Sequence, residues 1–292
     1  MPESPEVETI NRDLCDCVLG KNIKQVEVLA AKSVWPIPKK FVNLLTGQSL
    51  VAIDRIGKLL IFSLSDKKNY LLVHLKMTGQ LIYAINHKLV AGGHSLSAQS
   101  LIGYVGGELP NRSTRVYLIF SDKSHLFFND QRRFGYLKIV DQASLAVIKA
   151  KYGIEPLTPN FTKSNFFLAI KGRTKNIKAL LLDQSLISGL GNIYADEALF
   201  AAGIRPARRA SSLSKAEIER LYGVIEGLIR RAIKARGTTF NNYLDAQGNK
   251  GGFVVKLAVY GRSKELCLKC QGPIKKIKVA GRGTHFCPNC QK

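Results

Sequence analysis

Apolar residues recur every three or four positions near the start of the chain, at Val7, Ile10, Leu14 and Val18, and the run stops at Gly20. That spacing predicts an amphipathic helix over residues 4–19, with Ser4 as its N-cap and Pro5 at the first helical position. From Ile23 to about Val140 the period shortens to two. Alternating runs at Gln25–Leu29, Leu59–Leu64, Tyr70–Leu75, Arg115–Phe120, Leu126–Asn129 and Tyr136–Val140 predict a β-rich domain, sandwich-like or barrel-like. A glycine-rich stretch over about 85–113 interrupts them and is expected to form a long loop. After about Gly153 the period becomes helical. Asn176–Leu182 is apolar at 177, 180 and 181, a turn carrying Gly189 and Gly191 follows, and Asn192 is placed to cap a helix through Tyr194, Ala198 and Leu199. Ser214 and Glu217 form a capping box for a helix striped by Ile218, Leu221, Ile225, Leu228 and Ile229. A polar, glycine-bearing stretch at 237–253 then leads into a cysteine-bearing end. The expected domains are 1–150, 151–252 and 253–292.

Charge narrows the function. The 292 residues carry 44 Lys+Arg against 21 Asp+Glu, a formal charge of +23. A chain this basic is expected to meet a polyanion, nucleic acid first, with ribosome association or an anionic membrane surface as alternatives. No apolar run reaches the roughly 18 residues of a membrane span, and with nucleic acid as the leading candidate no membrane partner is expected. The acidic start lacks a secretory pattern, and a cytoplasmic location is expected. Disulfides are rare in that compartment, so the six cysteines need another account. Four of them form Cys267-x2-Cys270 and Cys287-x2-Cys290 with sixteen residues between the pairs, the spacing of a four-thiolate zinc site. Disulfides or free thiols are the alternative. The intervening residues suggest a hairpin, and Lys275, Lys276, Lys278 and Arg282 make it basic. Cys15 and Cys17 do not share a helical face and are assigned to packing.

The first residues carry candidate chemistry. Removing the initiator methionine would leave Pro2 as a free secondary amine beside Glu3 and Glu6. An α-amino group has an ordinary pKa of about 7.7–8.0, so roughly a quarter is neutral and nucleophilic at pH 7.5, against about one lysine in a thousand. The carboxylates offer a general acid or base, although a capped helix start also uses acids in this way. The Gly189–Asn192 turn would let a phosphate approach a helix N-terminus, with Lys171, Arg173, Lys175 and Lys178 upstream. In the β-rich region Arg55, Lys58, His74, Lys76, Arg132 and Arg133 alternate with apolar residues. Met77 and Phe134 stand beside these basic groups as wedges or as ordinary core, and His74 also fits a structural role.

In order along the chain, Pro2-Glu3-x-Pro5-Glu6-Val7-Glu8, His74-x2-Met77-x-Gly79, Asp130-x-Arg132-Arg133-Phe134-Gly135, Gly189-x-Gly191-Asn192-x-Tyr194 and Val259-Tyr260-Gly261-Arg262, followed by the four cysteines, resemble formamidopyrimidine-DNA glycosylases. The resemblance covers nearly the whole chain. It implies an α+β multidomain fold: an N-terminal β-sandwich with a leading helix, a helix–two-turns–helix module and a C-terminal β-hairpin zinc finger. It also implies a monomeric, nucleoid-associated base-excision-repair enzyme that removes oxidised purines from damaged double-stranded DNA and nicks the abasic site, with one structural Zn²⁺. By position, Pro2 resembles the nucleophile, Glu3 the proton-transfer residue and Glu6 a second carboxylate near the sugar. Lys58, His74, Asn192 and Arg282 match residues that grip phosphates around the flipped nucleotide, with Lys58 counted in the catalytic group and Lys178 among the DNA-binding residues. Met77, Arg132 and Phe134 resemble the residues that fill the gap in the duplex. The family pattern is departed from at Ser4 and Gln131, where a larger apolar residue and a proline are more usual, and in the length of 85–113. Two other functions remain open on sequence: an endonuclease VIII-type glycosylase for oxidised pyrimidines, and a non-catalytic zinc DNA-binding protein.

Overall fold

The computed structural model describes residues 1–85, 88–91, 94–97, 107–238 and 252–292. These fall into two compact units, Met1–Lys149 with Arg236–Gly252, and Ala150–Ala235 with Phe253–Lys292.

The first unit opens with α1 (Ser4–Val18), whose buried stripe is the predicted Val7, Ile10, Leu14 and Val18. Its cap differs from expectation. Glu3, not Ser4, is the N-cap: its side chain accepts from the Glu6 amide, while the Glu6 carboxylate accepts from the Glu3 amide at 2.8 Å. Carboxylate and amide each satisfy the other's helix end, which leaves Ser4 as the first helical residue.

The chain continues through β1 (Ile23–Val28), β2 (Val34–Trp35), α2 (Pro38–Leu45), β3 (Leu50–Ile56), β4 (Leu59–Leu64), β5 (Asn69–His74) and β6 (Gly79–Ile85). It then forms β7 (Lys88–Ala91), β8 (His94–Ser97), β9 (Thr114–Phe120), β10 (His125–Asp130), β11 (Tyr136–Asp141) and α3 (Gln142–Lys149). Two sheets result, ordered β1-β9-β10-β6-β7-β8 and β2-β11-β5-β4-β3. Leu81, Val116, Leu118 and Phe128 of one sheet and Leu60, Phe62, Leu71 and Val73 of the other share a single core with α1 and with Phe41 and Leu45 of α2. This is a sandwich. The 85–113 stretch is not all loop: β7 and β8 extend the six-stranded sheet as an antiparallel pair, Ala91 opposite His94. Within this stretch 86–87, 92–93 and 98–106 lie outside the described residues.

The second unit holds α4 (Lys163–Ile170), α5 (Ile177–Leu182), α6 (Asn192–Ala201) and α7 (Lys215–Lys234) around a shared apolar core, followed by the hairpin β12 (Lys275–Val279) and β13 (Arg282–Phe286). The Ser214–Glu217 box caps α7 as the spacing predicts, with bonds of 2.8 and 3.2 Å. Arg208 adds a two-pronged pair to Glu217, and that contact holds the carboxyl down at about 2. No helix among the described residues is long and apolar enough to cross a membrane.

Candidate active site and nucleic-acid interface

The N-terminal amine lies among charges drawn from three elements. On Met1 it is held below its ordinary value of 8.0, with burial the largest cause. Glu3 and Glu6 raise it in opposition, and Lys58 and Arg132 push it down. Lys58 is positioned by a two-residue hairpin between β3 and β4, where Gly57 takes a φ of 57°. Arg55 fastens that hairpin to α1, donating to the Gly57 carbonyl at 2.7 Å and to Glu8 at 3.0 Å. Lys58 is buried. Pro2 is half-buried, while Glu3 and Glu6 are both buried.

The two carboxylates differ. Glu6 accepts the Glu3 amide on Oε2 and the Thr238 amide on Oε1, at 2.8 and 2.6 Å. A Cβ on Gly237, whose φ is 84°, would come within 2.8 Å of this carboxylate. With both oxygens committed to backbone, Glu6 holds the helix start and the 237–238 turn in register.

His74 ends β5, and its Nδ1 accepts the Lys76 amide at 3.0 Å. A ring that accepts at Nδ1 while neutral carries its proton on Nε2, where it is a donor. Burial, then Lys76 and Lys58, push its pKa down to about 3, so the ring is uncharged near neutrality.

Met77 and Phe134 project from neighbouring loops and are 39% and 56% exposed, so neither is core. The Arg132 guanidinium, also exposed, sits 5.1 Å from the Phe134 ring centre. The buried Asp130 carboxylate builds this arrangement. It accepts from the Thr78 hydroxyl, from the Arg132 amide at 3.2 Å and from the Gly135 amide at 2.7 Å. Gly79 and Gly135 admit no side chain, since a Cβ would meet the Leu75 carbonyl at 2.4 Å and the Phe128 ring at 2.7 Å. Asp130 opens one of the motifs visible in the sequence, but its task there is set by amides and a hydroxyl that the sequence does not place. An acid followed by residues that need amide acceptors was the available signal.

In the second unit Gln184 staples the turn before α6, donating to the Leu182 and Leu190 carbonyls and accepting the Gly189 amide. Asn192 is the first helical residue rather than the cap, which is Gly191, and its amide donates to the Gly283 carbonyl at 2.9 Å. Arg282 is exposed at the start of β13, just after a two-residue turn in which Ala280 and Gly281 have φ of 52° and 72°.

Lys178 is a correction. Expected to meet a phosphate, it has no exposed surface; its ammonium pairs with Asp196 at 2.6 Å and donates to the Thr284 hydroxyl at 2.7 Å. A buried charge needs a buried partner, and Asp196, itself fully buried, supplies it while also accepting the His285 amide at 2.8 Å. The adjacent Glu197 accepts the amides of Ala258, Val259 and Tyr260 and so fixes that turn. Both acids escaped sequence reasoning because charge alone does not reveal a partner.

The sulfurs of Cys267, Cys270, Cys287 and Cys290 lie within 4.8 Å of one another. A tetrahedral Zn²⁺ with Zn–S near 2.3 Å needs sulfurs about 3.8 Å apart. The Cys267–Cys290 and Cys270–Cys287 separations of 3.8 and 3.4 Å fit that ion. A side chain at Gly272 would meet Asn289 at 2.4 Å, so the first knuckle needs glycine there. Cys15 and Cys17 pack against the sandwich core.

Three family models match the chain: the formamidopyrimidine-DNA glycosylase N-terminal domain over 1–137, its H2TH domain over 152–243, and the zinc finger found in FPG and IleRS over 264–292. Among curated relatives, the formamidopyrimidine-DNA glycosylase of Symbiobacterium thermophilum is 42% identical, covering 100% of this chain and 89% of its own. That of Listeria innocua is 38% identical over 100% of both. The solved Lactococcus lactis Fpg bound to DNA containing an abasic site is 33% identical, with a TM-score of 0.86 and 99% of each chain covered. The same protein solved with DNA containing an oxidised pyrimidine gives 0.85 at 33% identity, over 100% of both chains. The chain belongs to the formamidopyrimidine-DNA glycosylase family.

Proposed function

We propose that this chain is a bifunctional DNA glycosylase and abasic-site lyase that removes 8-oxoguanine and formamidopyrimidines from duplex DNA as a monomer. Its nucleophile is the Pro2 amine, freed when Met1 is removed. The observation that carries this reading is the setting of the chain start: the partly buried Met1 amine, one residue before Pro2, is held below its ordinary pKa among Glu3, Glu6, Lys58 and Arg132. The neutral amine attacks C1′ of an extruded nucleotide; the new N–C bond forms as the glycosidic bond breaks, and the base leaves with a proton. Glu3 moves protons as the sugar ring opens to an iminium. The iminium makes a C2′ proton acidic; its loss expels the 3′ phosphate, and a second elimination expels the 5′ phosphate.

Lys58 and the Nε2–H of His74 hold phosphates of the damaged strand, and Asn192 and Arg282 hold others. Met77, Arg132 and Phe134 enter the space that the extruded nucleotide leaves. Glu6 positions the helix start, and Lys178 supports the finger from inside. One Zn²⁺ held by the four thiolates would supply folding energy to the finger.

Borohydride trapping on a duplex containing 8-oxoguanine tests the reading. Protein lacking Met1 should form a covalent adduct with nicked DNA, and protein extended at its N-terminus should bind without trapping. Trapping by the extended protein at the normal rate would show that Pro2 is not the nucleophile. Preference for an oxidised pyrimidine over 8-oxoguanine would assign the chain to the endonuclease VIII type.

A further inference from the structure

Beyond His74 the five-stranded sheet carries an aromatic track, exposed at its far end, that none of the assigned roles uses. Tyr136 of β11 pairs with His74 of β5, and their rings are 5.7 Å apart. Trp35 of β2 follows, edge to face with Tyr136 at 5.9 Å and in register with Lys138. Trp35 is 48% exposed and Ile37 is 71% exposed.

The surroundings are cationic. The Lys76 ammonium lies 5.8 Å from the Tyr136 ring centre. Lys32, Lys39 and Lys40 are exposed within five positions of Trp35, and no acid occurs from Val28 to Leu45. An exposed tryptophan inside a run of lysines is poorly suited to an apolar partner, because docking would bury unpaired ammonium groups. It suits a polyanion whose flat groups can leave their own stack.

We propose that Trp35, backed by Tyr136, is a stacking platform for an unpaired base of the strand whose phosphate His74 holds, with Lys32, Lys39 and Lys40 tracking the phosphates beyond. This rests on the reading of His74 as a phosphate contact. Two ring-to-ring steps of under 6 Å separate Trp35 from His74. At about 3.4 Å of rise per nucleotide, Trp35 therefore meets a base no more than roughly three or four nucleotides from the held phosphate. The platform would favour lesions next to frayed, mismatched or gapped positions, where a base is already available to stack.

Trp35 is the sole tryptophan in the chain, so its fluorescence reports the contact directly. The probes are two duplexes containing a tetrahydrofuran abasic analogue, one fully paired and one with the four nucleotides on each side of the analogue mismatched. The mismatched duplex should quench Trp35 emission more strongly. Trp35→Ala should lose about tenfold in affinity for it and about twofold or less for the paired duplex. Trp35→Phe should recover most of the loss, and Lys39→Glu with Lys40→Glu should weaken the mismatched complex while leaving Trp35 in place. Equal quenching by both duplexes, or equal losses on both in Trp35→Ala, overturns the platform. Borohydride trapping by the unaltered protein is read separately, so a failed platform and a failed nucleophile assignment are distinguishable.

Discussion

A carboxylate that caps a helix cannot move without disturbing that helix, and Glu3 is such a carboxylate. Its place is fixed by the Glu6 amide, so a carboxylate stands beside the chain terminus before any substrate arrives. The Met1 amine is depressed below 8.0, and the same surroundings are expected to act on the Pro2 amine once Met1 is removed, so that neutral amine accumulates at a lower pH than in a free peptide. Single-turnover base excision should therefore rise with pH through a midpoint below 8.0. Lys58→Met removes one of the charges that depress the amine and should shift that midpoint upward; an unmoved midpoint would separate Lys58 from the amine. Arg132 yields a second expectation. Its paired donors match the acceptors of a cytosine left without its partner. Excision of 8-oxoguanine should be faster opposite cytosine than opposite adenine by roughly 1–3 kcal/mol, and Arg132→Ala should erase most of that difference in single-turnover rates. At this scale the sequence was readable where a motif of nearby residues suffices, as in the capping box of Ser214 and Glu217. It misled where two caps compete: Ser4 is the commoner cap type, but only Glu3 has an acid three residues later to complete the box.

Elements with strong periodicity, α1 and α7 above all, were legible because burial of one stripe is a local property. Strands β7 and β8 were not. Their pairing is set by the free edge of β6, and a glycine-rich composition hides that edge. Lys178 failed for a similar reason, since Asp196 lies on another helix eighteen positions away. The ion pair makes a prediction about the second unit. Lys178→Met should cost about 3–5 kcal/mol in denaturant unfolding of the zinc-loaded protein, because it strands a buried carboxylate. Adding Asp196→Asn should restore much of that, since the amide oxygen can still accept the His285 N–H without a charge. A double variant as unstable as the single one would show that the ammonium contributes through Thr284 rather than through Asp196.

Over the whole molecule, an excess of 23 positive charges makes association with a polyanion dependent on salt, but only charges that reach phosphate count in the slope. Exposed Arg282 and buried Lys178 separate the two kinds. Arg282→Ala should flatten the dependence of log affinity on log salt by about 0.9, whereas Lys178→Met with Asp196→Asn should leave the slope unchanged. Equal slopes for Arg282→Ala and the unaltered protein would take Arg282 out of the interface. The order of motifs along the chain was enough to place the family, since each motif binds its own neighbours. The bond between Thr78 and Asp130 was not foreseeable in that way, and its effect reaches further than stability. It ties the loop of Met77 to the loop of Arg132 and Phe134, so on the proposed reading the three side chains that enter the duplex are held by one shared hydrogen bond. Transplanting a single loop from a relative to change which mispair is recognised should therefore fail, whereas exchanging residues 75–79 and 130–135 together, with the hydroxyl and the acid matched, should carry the new preference intact.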